Sequence, residues 1–315
     1  MVPARPAAPL PAPSNLPARA SRRAGVSRAP WVAPGSLSTA FYLVFLIAPL
    51  VLMGYQSVRP QSADGSSTGR IGLGNYRAVF SPTFEKVFRG TVENALLTAA
   101  VCAVVGYLTA YWLATRVSQR WRPLVLVLVI LPFWTSYLLR MIGWSIALSD
   151  RGPLIHLLTT LGWQSAHFGV LGTQRAVIIG LLYNNLPLMI LPAYVAIERI
   201  PRQYREASAD LGAPPLTTFR TVTLPMSAPG LVAGTLLVFI LSAGDFVTPA
   251  LLGGVKGLMV GSLISSQVLE GQNLPLGAAM AITLFATLVV IGAVVFGLLS
   301  AVRLLRRKPG VAHVS

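Results

Sequence analysis

The sequence predicts an all-α membrane protein with six transmembrane helices. Composition is the first reason: 54% of the 315 residues are hydrophobic and only 11% charged, with a mean hydropathy of +0.67. A soluble domain usually carries about 25% charged residues. The second reason is length. Six mainly apolar stretches approach the roughly 20 residues needed to cross about 30 Å of hydrocarbon. Third, these stretches lack two-residue alternation, which favours helices over a barrel.

Taken in order, residues 1–35 come first, "MVPARPAAPLPAPSNLPARASRRAGVSRAPWVAPG". Proline at this density opposes both helix and sheet, so a disordered Pro/Arg-rich tail is expected. Its basic residues are not closely followed by an apolar core with a small-residue cleavage site, so it does not read as a standard leader. The six spans are expected at 36–56, 94–115, 123–148, 176–197, 227–244 and 276–302. Pro132 and Arg140 interrupt the third. A second tail is expected over 309–315, closing a transmembrane domain of 36–308.

Lys and Arg set the orientation. Arg5, Arg19, Arg22, Arg23 and Arg28 precede the first span, Arg116, Arg120 and Arg122 lie between the second and third, and Arg199, Arg202, Arg205 and Arg220 between the fourth and fifth. Arg303, Arg306, Arg307 and Lys308 end the sixth. They outnumber the basic residues on the other side: Arg59, Arg70, Arg77, Lys86 and Arg89, then Arg151 and Lys256. Both termini are therefore expected in the cytoplasm, although the first exterior loop is itself basic.

Several function classes are excluded. The formal charge of +16 is spread between apolar runs rather than gathered on one basic domain, so no nucleic-acid partner is expected. Cys102 is the single cysteine and lies in an apolar run, where it reads as a small buried hydrophobe. No metal site or cofactor is expected. His156, His167 and His313 are scattered, and Asp150 and Glu270 read as loop charges. There is no catalytic constellation and no phosphate-binding G-x-x-x-x-G-K-[ST] run; "GGVKG" around Lys256 lacks the spacing. An ATP-driven function would need a motor on another subunit.

The loop after the fourth span is unusually patterned: "EASADLGAPPLTTFRTVTLPMSAPG" over 206–230. Pro201 suits the first turn of a helix. Gly212 supplies a left-handed stop, and Pro214 and Pro215 can open a second short helix. Pro225 and Pro229 are expected to break that helix before the fifth span. Glu206 and Asp210, at i and i+4, share a face, and Ala207, Ser208 and Ala209 leave a low-relief surface. The segment 198–228 thus reads as helix, glycine turn, helix, a pattern that also suits a plain interfacial connector.

"EASADLG" followed by "F…LP" resembles the EAA loop of permease subunits from type I ABC importers. The matching positions are Glu206, Ala207, Asp210, Gly212, Ala213, Phe219, Leu224 and Pro225, with Ser208 where the pattern has a second alanine. "GLGNYRAVF" (72–80), "LPFWTSYLLRMIGW" (131–144) and "LSAGDFVTPALLGG" (241–254) are similar to stretches of spermidine/putrescine-type permeases. The resemblance covers roughly residues 36–308. It implies the six-helix type I importer permease (MetI-like) fold in a bacterial inner membrane, with the loop coupling to a cytoplasmic ATPase. It further implies two ATPase subunits, a second permease that is a different chain, and an extracytoplasmic binding protein delivering a small organic solute such as a polyamine.

A path for that solute is suggested by the third and fifth spans. On a straight helix Pro132 lies about 14 Å from Pro123, near mid-membrane, and Arg140 about 26 Å along. Asp245 lies about 24 Å from Pro229. Trp134, Tyr137 and Asp245 are expected to line the outer part of a translocation path, with Arg140 pairing with Asp245. The aromatics equally suit an interfacial belt, and Arg140 could snorkel outward. An intramembrane carboxylate is costly unless paired or wetted. Gly230, Gly234, Ala228 and Ala233 are expected at a helix-packing surface. An ion-coupled secondary transporter is the alternative, but it would need a central ion site and usually paired repeats, neither of which is seen.

Overall fold

The computed structural model describes residues 32–59, 71–161 and 169–306, and these are helical with no strand among them. The tails expected at 1–35 and 309–315 lie almost wholly outside the described residues, as does His167. The chain divides into two units, Met1–Pro49 and Leu50–Ser315. In the first, the described residues form the N-terminal part of helix α1 (Val32–Ser57), which begins earlier than the expected 36. Phe41 and Phe45 stack one turn apart, with centroids 4.3 Å from each other.

The second unit is a helix bundle. Helix α2 (Gly74–Val79) precedes α3 (Pro82–Thr115), and α4 (Arg122–Ile130) runs through a 3₁₀ turn (Leu131–Trp134) to α5 (Tyr137–Ala147). There follow α6 (Pro153–Thr160), α7 (Gln174–Glu198), α8 (Arg202–Asp210), α9 (Pro215–Thr218) and α10 (Leu224–Gly244). Helices α11 (Val260–Leu269) and α12 (Leu274–Arg306) complete it. Five of the described helices are long and apolar enough to span a membrane. The third expected span is a broken pair whose halves differ in direction by 89°.

That bend is sharper than a proline kink. Ser136 and Thr135 adopt extended backbone after the 3₁₀ turn, so two helices replace one. The straight-helix depth given to Arg140 therefore does not hold. Helix α3 starts well before the expected 94. Ser81 caps it in extended conformation, Pro82 sits at its first turn, and Phe84 is buried. At 1.5 Å per residue it is about 51 Å long, well beyond the hydrocarbon.

The core lies where α3, α7 and α10 meet. Ala95, Cys102 and Ala110 of α3 pack with Met189 and Ala193 of α7 and Val238 of α10. Small residues permit the approach. A Cβ on Gly230 would meet Ala196 Cβ at 2.3 Å, and one on Gly234 would meet Met189 Sδ at 2.8 Å. These two glycines thus pack within the subunit, as expected; Ala233 is exposed. Cys102 is fully buried and His156 exposed, as their surroundings in sequence suggested.

Candidate functional site

Two regions concentrate polar groups, one at each end of α10. At the first, α8 ends in a Schellman motif. Gly212 has φ of +79°, its N–H bonds the Ala209 carbonyl at 2.8 Å, and the Ala213 N–H bonds the Ser208 carbonyl at 3.1 Å. This is the left-handed stop expected of Gly212. Pro215 then opens α9. Ser208, the departure from the double-alanine pattern, has a use: its Oγ lies 2.9 Å from Thr218 Oγ1, tying α8 to α9.

The expected break at Pro225 and Pro229 does not occur. Helix runs unbroken from Pro215 to Gly244, through a π-helical turn at Phe219–Thr223. The widened turn relieves the contact that a proline ring makes with the preceding turn. Pro225 stands within the first two positions of α10. Ser227 Oγ donates to the Thr223 carbonyl at 2.7 Å, so its 2.6 Å partner, the Tyr107 hydroxyl, is the donor to it.

Phe219 anchors this assembly edge-on against Tyr107 and Tyr111 of α3, with centroids 5.9 and 5.0 Å away. Outward, α8 has no buried residue. Glu206, Ala207 and Asp210 are exposed, as is Leu211 at 89%. Sequence reasoning missed Arg122, taken only as a flanking charge. It is buried, donates to the Ala114 and Val117 carbonyls at 2.7 and 3.0 Å, and lies 3.6 Å from Glu198. It joins the end of α3 to the end of α7, and with Arg202, Arg205 and Glu206 it lines a cavity of about 400 Å³.

At the far end, α10 stops where Asp245 turns extended. Its carboxylate caps the next segment: Oδ1 accepts the N–H groups of Val247 and Thr248 at 2.9 and 3.3 Å. Oδ2 accepts Thr248 Oγ1 at 2.5 Å and the Tyr137 hydroxyl. The Tyr137 hydroxyl also lies 2.6 Å from Thr248 Oγ1. Asp245 therefore fastens α5 to the segment after α10.

The expected pairing of Arg140 with Asp245 is not made; among the described residues no ion pair joins them. The Arg140 guanidinium instead lies over the rings of Phe133 and Tyr137, at 5.1 and 5.7 Å from their centroids. Tyr137, a closer hydrogen-bond donor, takes the carboxylate. Tyr137, Arg140 and Asp245 do line one cavity of about 470 Å³, with Phe133, Asn184 and Gly244. Trp134 is not part of its lining and is 79% exposed. Asn184 was not expected; an Asn-Asn pair inside an apolar span was its available signal.

Residues 74–308 match the profile of a family described as "Binding-protein-dependent transport system inner membrane component". The spermidine/putrescine transport system permease protein PotB of Haemophilus influenzae is 36% identical over 269 residues, 85% of this chain and 93% of that protein. PotB of Escherichia coli is 39% identical over 236 residues, 75% of this chain and 84% of that one. Among solved structures, a bacterial ABC transporter that imports the acidic polysaccharide alginate aligns with a TM-score of 0.67 at 18% identity, covering 88% of this chain and 96% of that one. Identity this low speaks for the fold alone. Profile and relatives together place the chain: it belongs to the family of binding-protein-dependent transport system inner membrane components, the multi-pass permease subunits of ABC importers.

Proposed function

We propose that this permease imports a polyamine-class organic cation, that both termini face the cytoplasm, and that the 206–212 segment is where a separate ATPase subunit engages it. The full transporter would pair this chain with a second, different permease, two ATPase subunits and an extracytoplasmic binding protein. One observation carries the coupling reading. The exposed loop is continuous with a helix that ends at the Asp245 cavity, Pro215–Gly244, about 45 Å long at 1.5 Å per residue.

The chemistry follows from that link. Nucleotide-driven closure of the motor dimer displaces α8. Its Schellman turn and the Ser208–Thr218 contact pass the motion to α9. Phe219 transmits it to α3 through Tyr107 and Tyr111. At the far end, Asp245 and Tyr137 deliver it to α5, so the helices around the cavity alternate between outward and inward access. The sequence similarity to spermidine/putrescine permeases supports the solute class.

The test is co-purification with the candidate ATPase before and after Glu206→Ala plus Gly212→Pro. Proline cannot adopt the φ of +79° found at Gly212. Loss of the ATPase from an otherwise folded variant is the expected outcome. Equal retention by both forms would move the dock elsewhere.

A further inference from the structure

The cavity beside the end of α3 gathers more positive charge than the fold uses. Arg116, Arg122, Arg202 and Arg205 line its volume of about 400 Å³, and Glu206 is the acid in that lining. Arg122 is committed: it donates to the Val117 and Ala114 carbonyls, and Glu198 lies 3.6 Å away. Among the described residues, the other three arginines and Glu206 enter no ion pair. Arg116 and Arg202 are exposed and Arg205 half-buried, so their side chains are within reach of a ligand. A cleft lined mainly by charge of one sign focuses its field and concentrates ions of the other.

The depth of this cavity follows from α3. Residues 94–115, between Glu93 and Arg116, carry no charge. They are about 33 Å long at 1.5 Å per residue, close to the thickness of the hydrocarbon. Arg116 therefore comes at the membrane surface. Two tryptophans mark the same level: Trp112, one turn before Arg116, is 53% exposed, and Trp121, next to Arg122, is 55% exposed. The Arg120 guanidinium lies 5.9 Å from the Trp121 ring centroid. Exposed tryptophan is enriched where lipid headgroups meet water. The unpaired arginines thus converge at headgroup depth.

We propose that this cavity binds the phosphate of an anionic phospholipid headgroup, with Arg116, Arg202 and Arg205 as its contacts and Arg122 as a fixed positive charge behind them. A planar guanidinium meets phosphate oxygens in pairs, and basic pockets at the ends of membrane helices suit anionic headgroups. A carboxylate of a soluble subunit would satisfy the same charges, but the tryptophans flanking the lining favour lipid. The bound headgroup joins the end of α3 to the start of α8. The inference depends on the membrane-spanning fold and not on the solute.

The experiment is native mass spectrometry of the complete transporter in detergent with equal phosphatidylglycerol and phosphatidylcholine. Arg116→Gln plus Arg202→Gln is compared with Arg120→Gln plus Arg199→Gln, which removes as much charge from exposed arginines outside the cavity lining. The expected result is that wild type prefers phosphatidylglycerol, that the first pair of changes weakens its tightest binding about tenfold or more, and that the second leaves it within about twofold. Equal losses in the two variants would mean diffuse attraction and overturn the inference, as would no preference in wild type. Phosphatidylglycerol held by the permease pair alone but expelled when the ATPase is added would assign the cavity to that subunit. Inorganic phosphate, raised at constant ionic strength, should leave the lipid bound. Displacement, together with a phosphate-dependent rise in unfolding temperature that the first variant lacks, would make this a soluble-anion site and overturn the lipid source. If the first variant does not assemble, R116Q is judged against R120Q, with about fivefold against at most twofold expected; failure of R116Q to assemble marks a structural role and overturns the inference.

Discussion

The loop at 199–223 and the cavity at the far end of α10 are built by opposite means. The loop takes its shape from local chemistry, a glycine at positive φ, two consecutive prolines and one Ser–Thr contact, and Phe219 fastens it to α3. Almost all of α8 is left uncovered. The cavity is held by contacts between distant parts of the chain, with Tyr137 of α5 reaching Asp245 and Thr248. The surface proposed to meet the ATPase is thus shaped largely within its own stretch of chain. The proposed path rests instead on bonds between separate elements.

The largest way to break this contrast is Phe219→Ala. Phe219 is the aromatic link between loop and bundle, and removing a buried aromatic costs about 3–5 kcal/mol; Phe219 is only partly buried, so the low end is expected. Thermal unfolding of the purified permease should shift down, and protease should cut within 199–223 sooner than in wild type. Unchanged proteolysis would mean that the loop stands on its own chemistry.

Asp245→Asn acts on the other region. It keeps the shape but replaces one acceptor oxygen by a donor group. Hydrogen bonds to a charged group contribute about 1.5–3 kcal/mol each. Solute uptake should fall several-fold while ATPase co-purification stays at the wild-type level. Loss of both would tie the two ends of α10 more closely than the loop's own chemistry implies.

Ser208→Ala is the mildest change and sharpens the comparison. It restores the double-alanine pattern and removes the contact to Thr218, at about 0.5–1.5 kcal/mol for a neutral hydrogen bond. ATPase binding should persist, with a small fall in the unfolding temperature. A larger loss of binding than of stability would make the Ser208 hydroxyl part of the dock.

These differences also explain what was legible in the sequence. Apolar length reveals the spans, and Gly212, Pro214 and Pro215 reveal the loop because each acts on its own backbone. Pro225 and Pro229 misled because their local preference against helix was overridden by a π turn and by packing of Gly230 and Gly234 on α7. The 89° bend was invisible to a straight-helix estimate, although Arg140 and Asp245 still reach one cavity. Their failure to pair depends on where Tyr137 points, which no spacing encodes. Asn75 shows the same limit. It lies in the "GLGNYRAVF" stretch that carried part of the resemblance, and it donates to the carbonyls of Ser57 and Arg59 at 2.9 and 2.8 Å. That clamp on the segment after α1 appears only once the chain is folded.

The π turn at Phe219–Thr223 has a consequence for phase. Such a turn amounts to one residue inserted into an α-helix, and one residue is about 100° of rotation about the axis. Everything on the loop side of Phe219 is therefore rotated relative to the face that α10 would present if wound without interruption. Deleting Thr221 should restore regular winding and swing α8 about 100° around the α10 axis. The direction in which Glu206 and Asp210 face is then a property of winding number, set in the five residues of that turn.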